Sequence, residues 1–233
     1  MALLFIILSS IGATRIPFWP FLLCLSLLGV ILYSKAINPN HWQLLVRSIM
    51  SPRAVQQLIR EENTMENTFS GLLLLTFFFS MTLFLQNIND FYGLTISIHP
   101  LLTFAIILVA VLFVYVVKVA TLYLLQWVFE VREIFEEYIV GLLNINIVLG
   151  ISLLPLNILI IYGLALPAKP LIYIGIALLA FSLALRLLRI VEMGRRREMN
   201  AYNIILYLCT LEIVPILLLL KLMENLGIGR LTL

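Results

Sequence analysis

Tyr207-Leu208-Cys209-Thr210-Leu211-Glu212-Ile213-Val214-Pro215, continued by an unbroken apolar run to Leu220, sits inside a segment long enough to cross a bilayer. It carries a carboxylate and a proline at its middle. An ionised side chain at that depth costs roughly 2.5 to 17 kcal/mol. Glu212 therefore needs a compensating neighbour, and finding it is the best handle the sequence offers on a site.

The rest of the chain reads the same way. Of 233 residues, 63% are hydrophobic and 12% charged, with a mean hydropathy of +1.11. Soluble domains run near 25% charged. The composition predicts an all-α, polytopic transmembrane helix bundle, a single domain over residues 1–233. Little length remains for a soluble domain once the spans are subtracted. The net charge is only +3, and the basic residues fall in short blocks between apolar runs. Such blocks report topology rather than nucleic-acid binding. Cys24 and Cys209 both lie inside apolar runs, where they read as small buried hydrophobes without a disulfide framework.

Six spans are expected: residues 18–34, 69–88, 101–128, 138–165, 171–188 and 201–223. Met1 to Ala13 is apolar but too short for a straight crossing of about 30 Å of hydrocarbon. It reads as a helix lying at, or dipping into, the membrane. Residues 38–68 differ in composition. Trp42, Leu45, Val46 and Ile49 recur at helical spacing, and Ser51-Pro52 looks like the start of a second helix striped by Val55, Leu58 and Ile59. Two amphipathic helices in the headgroup plane are expected there. In the fourth span, Gly150 and Pro155 predict a kink or a locally broken helix.

Lys35, Arg47, Arg53, Arg60, Arg132, Arg186, Arg189 and Arg195 to Arg197 all fall on one side of this arrangement. That side is expected to be cytoplasmic, which puts both termini in the periplasm. If residues 1–13 also cross, the N-terminus moves inside.

Helix rise sets depth. Glu212 lies eleven residues beyond Ala201, roughly 16 Å deep, and Lys118 lies ten residues before Val128, about 15 Å deep. The two opposite charges share one level. They read either as an interhelical ion pair, with Tyr115, Tyr207 or Asn144 completing its hydrogen bonds, or as a protonatable site in an ion or proton path. If Lys118 snorkels away, Arg186 or protonation is left to satisfy Glu212. Pro215 frees the carbonyl of Leu211 and could open a small polar cavity beside it. Asn146 and Asn157 are candidates to line that cavity or to glue helices together.

Arg186, Arg189, Arg195, Arg196 and Arg197, with Trp42 and Arg47, are candidate contacts for lipid headgroups or a cytoplasmic partner. His41 and His99 are expected on opposite sides, and no Cys/His/carboxylate cluster has metal spacing. Phosphate-binding loops, nucleophile elbows and dinucleotide fingerprints are missing. The sequence thus points to no catalytic residue, no cofactor and no nucleic-acid partner. The partners expected are the bilayer and a protein at residues 38–68.

Asn40-His41-Trp42-Gln43-Leu44-Leu45, Gln57-Leu58-Ile59-Arg60-Glu61-Glu62-Asn63 and Tyr207-Leu208-Cys209-Thr210-Leu211-Glu212-Ile213-Val214-Pro215 resemble a multi-pass family of unknown function typical of Bacteroidota. The resemblance runs from the first span to the sixth and implies a bacterial inner (cytoplasmic) membrane protein, without a substrate or cofactor. The expected role is a non-enzymatic scaffold or subunit of a cell-envelope complex. The alternative is a small transporter or proton-linked channel centred on Glu212 and Lys118.

Overall fold

The computed structural model describes residues 18–37, 39–50, 55–57, 64–93, 99–129, 132–163 and 167–196. The described residues form helices α1 (Phe18–Ile37), α2 (Pro39–Met50), α3 (Thr64–Tyr92), α4 (Pro100–Phe129), α5 (Arg132–Tyr162) and α6 (Ala168–Arg196). Five of the six, all but α2, are long and apolar enough to cross a membrane. A backbone surrounded by lipid must satisfy its own polar groups, and a helix does so within one segment. Their hydroxyls follow the same rule: Thr82 Oγ1 donates to the Phe78 carbonyl at 2.8 Å and Ser152 Oγ to the Val148 carbonyl at 2.9 Å.

Five of the six expected spans fall on described helices, whose ends differ from the expected ones by several residues. α4, at 30 residues, is about 45 Å long, so it tilts or projects from a hydrocarbon layer of about 30 Å. α6 continues to Arg196, well past the expected end at Leu188. α3 stops where Gly93, at φ 61°, takes the left-handed conformation that closes many helices. The broken-helix alternative for the fourth span is not what forms. α5 runs through Gly150 and Pro155 as one helix. Residues 1–17 and the sixth expected span lie outside the described residues.

α5 is the hub and touches all five other helices. Its longest seam is with α3, where Phe77, Phe78 and Phe84 interlock with Leu149, Leu153 and Leu156. Gly150 makes that seam close: a side-chain carbon there would lie 2.8 Å from Phe77 Cβ and overlap the Phe77 backbone. α6 packs on α5, while α4 packs mainly on α3 and less on α5, and α4 and α6 share no long seam. α4 turns Val109, Phe113, Val116 and Trp127 outward, an apolar face suited to lipid.

α2 accounts for the first expected short helix. Its Leu45, 1% exposed, inserts between Leu73 of α3 and Ile147 of α5, with Trp42 packed alongside. Val46 of the expected stripe faces out, 56% exposed. Of the second expected helix, residues 55–57 are helical and Val55 is buried.

Candidate functional site

Arg186 and Arg189, toward the end of α6, turn to neighbouring helices rather than trail into solvent. Arg186 and Arg189 are three apart and share one face of the helix. Arg186 Nη2 donates to Asn146 Oδ1 of α5 at 2.5 Å. The Tyr115 hydroxyl of α4 is buried beside Asn146 and within the field of Arg186. Three helices thus meet at one polar cell, directly below the Phe and Leu seam.

Arg189 reaches past α5 to α2. It is 6% exposed and donates from Nη2 to the backbone carbonyl of Ser48. Ser48 is third from the end of α2, among the carbonyls that lack a partner inside the helix. A cation there also faces the negative end of the helix dipole. Gly141 provides the passage: a side-chain carbon at that position would lie 2.8 Å from Arg189 Cζ and overlap Nη1. One guanidinium therefore ties α6 to α2 across a notch in α5.

A second polar layer closes the other end of the α3–α5 seam. Asn157, fully buried, donates from Nδ2 to the Ser80 carbonyl at 2.8 Å and accepts from Asn87 Nδ2 at 3.2 Å. Asn146 and Asn157 are eleven residues apart on α5, about 16 Å, and the interlocked apolar side chains fill the space between.

The structure brings Tyr115 and Arg186 together and places other expected site residues around them. Lys118 is half-buried, one turn along α4 from Tyr115. Asn144, 7% exposed, lies one turn beyond Gly141, and its Nδ2 makes no hydrogen bond among the described residues. Trp42 is half-buried against Leu45, with its indole N–H unbonded among the described residues, while Arg47 is exposed. Arg195 and Arg196 occupy the last turn of α6. Arg197, Tyr207, Glu212 and Pro215 lie outside the described residues, as does any contact between Glu212 and Lys118. Gly141 and Ser48 were not expected. The readable signal was Gly141 itself, a small residue in an otherwise bulky span, opposite a helix that carries Arg186 and Arg189.

Among the described residues, no three His, Cys, Asp or Glu side chains gather as metal ligands would. The chemistry this arrangement offers is the holding of cationic side chains by amide, carbonyl and hydroxyl oxygens between helices. No curated protein and no solved structure matches the chain. A match to the family model of a domain of unknown function, DUF4271, spans residues 20–223, and the chain belongs to that family.

Proposed function

We propose that the protein is a multi-pass component of a bacterial inner membrane, of the kind found in Bacteroidota, serving as a non-enzymatic scaffold or subunit of a cell-envelope complex. The observation that supports it most is the use made of the two inner arginines. Arg186 and Arg189 are spent on α5 and α2, as ties within the bundle. The seam above them is filled by interlocked Phe and Leu side chains. A bundle braced this way holds a surface in place.

That surface is α2. It buries Leu45 and Ser48 against the bundle and turns Gln43, Val46 and Arg47 outward, on the side that the positive charges mark as cytoplasmic. Both termini then lie in the periplasm. A protein partner at this face is tested by affinity purification from native membranes in mild detergent. The reading expects a stoichiometric companion that is lost in Val46→Asp combined with Arg47→Glu. Purification of the chain alone, unchanged by these substitutions, refutes it.

A second reading, a small transporter or proton-linked channel using Glu212 and Lys118, is favoured by the buried Tyr115 hydroxyl and Asn144 Nδ2, polar atoms without a hydrogen bond among the described residues. It expects proton flux in proteoliposomes that Glu212→Gln abolishes.

A further inference from the structure

We infer that α1, α2 and α5 hold one glycerophospholipid of the surrounding leaflet, whose oxygens accept from three buried donors: Ser34 Oγ of α1, Trp42 Nε1 of α2 and Asn144 Nδ2 of α5. None of the three atoms has a hydrogen-bond partner among the described residues. Ser34 is 2% exposed and Asn144 7%. A buried donor left unsatisfied costs more than a made hydrogen bond returns, so three in one region call for a missing acceptor.

Neighbouring contacts bring the three together. Leu45 of α2 meets Ile147 of α5, with Trp42 and Ile31 of α1 packed against the pair. One turn further along α2, Arg189 joins Ser48 to Gly141 of α5. Asn144 falls between Ile147 and Gly141 in both height and direction, so it faces α2 between Leu45 and Ser48. Successive spans alternate in direction, so α1 runs opposite to α5. Ser34, one turn past Ile31, is therefore displaced the same way as Asn144 from Ile147.

Chemistry selects the occupant. An indole N–H and an amide NH2 only donate, and a serine hydroxyl donates as well as accepts. The Arg189 guanidinium adds positive charge at the Ser48 end, and Lys35 stands exposed beside Ser34 in the last turn of α1. A phospholipid answers both features, because its phosphate and ester oxygens accept and its phosphate is anionic. The order also matches. From Ser48 back to Trp42, α2 passes from the level of Gly141 toward that of Ile147, nearer the midplane. A leaflet lipid likewise carries its phosphate outside its ester carbonyls. The inference rests on the bundle lying in a bilayer, not on α2 having a protein partner.

The test uses the full chain, delipidated in a neutral mild detergent, with Tm followed during titration with dioleoylphosphatidylglycerol. Inorganic phosphate and dioleoylglycerol are the comparison probes. The phospholipid is expected to raise Tm saturably, and the other two to leave it unchanged. An equal shift with inorganic phosphate assigns the site to a soluble anion, and an equal shift with dioleoylglycerol leaves the phosphate without a role; either overturns the inference. Asn144→Leu removes an unsatisfied donor, so it is expected to raise the Tm of the lipid-free chain. It is also expected to raise the half-saturating lipid concentration roughly tenfold or more. A lower lipid-free Tm with an unaltered lipid response marks Asn144 as a packing residue and overturns the site. Arg47→Ala, on the outward face of α2, is expected to keep the lipid response, and losing it there would point to general surface charge instead. Should Asn144→Leu fail to accumulate, Trp42→Phe and Ser34→Ala decide. Each removes one donor and is expected to weaken lipid binding roughly two- to tenfold, and an unchanged response in both overturns the inference.

Discussion

The α3–α5 seam ends in a polar layer on each side, and the two layers are built on different terms. At one end Asn157, Asn87 and Ser80 form a neutral set in which amides and a backbone carbonyl answer one another between two helices. At the other end the polar groups are cations, and two helices do not suffice: Arg186 draws on α5, with α4 alongside, while Arg189 crosses α5 to reach α2. A neutral amide is satisfied locally. A buried guanidinium, with five donors, recruits whatever oxygens its neighbours can spare, so it determines the neighbours' arrangement. The cationic end is where the fold acquires its particular arrangement.

Substitutions can break this contrast in graded steps, read as Tm in detergent. Gly150→Leu, at the seam shared by both layers, should cost most, about 4 kcal/mol or failure to accumulate, because Phe77 presents backbone at that point. Asn146→Leu, which removes an acceptor from a cation, should cost about 3 kcal/mol. Asn157→Leu, at the neutral end, should cost only about 1–2 kcal/mol, since hydrogen bonds between membrane helices are individually weak. An Asn157→Leu loss equal to that of Asn146→Leu would erase the distinction between the layers. The smallest effect is expected at α2: Arg47→Ala, on its exposed face, should leave stability within about 0.5 kcal/mol of the parent while altering partner capture.

The spans were legible because lipid imposes a strict rule on composition, and runs such as Leu101 to Val128 obey it. Their ends were less so: hydropathy falls at Leu188, yet α6 continues to Arg196, since helix geometry does not stop where hydropathy does. That is also why Arg186 and Arg189 read from sequence alone as contacts for lipid headgroups or a cytoplasmic partner, with Arg186 also a fallback for Glu212. Placed inside the helix rather than at its edge, they turn inward. Of the kink or locally broken helix expected at Gly150 and Pro155, the break does not form, for a related reason. Gly150 serves close packing against Phe77, and Pro155 faces outward at an exposed position, where the surrounding helix tolerates it. The docking of α2 was half legible: its stripe was visible in Trp42 and Leu45, but only contact with Ile147 distinguishes a helix on the bundle from one on the headgroups. The pairing of Lys118 with Glu212 rested on depth along the helices, and Glu212 lies outside the described residues.

The claim that the inner cations brace the bundle is tested most directly by the thermal stability of Gly141→Ala in two backgrounds. In the parent chain the added methyl meets the Arg189 guanidinium, and Tm should fall by several degrees. With Arg189→Ala the notch is empty and alanine is the better helix former, so the same substitution should be neutral or slightly stabilising. An equal loss in both backgrounds would show that Arg189 does not occupy the notch and would contradict the account.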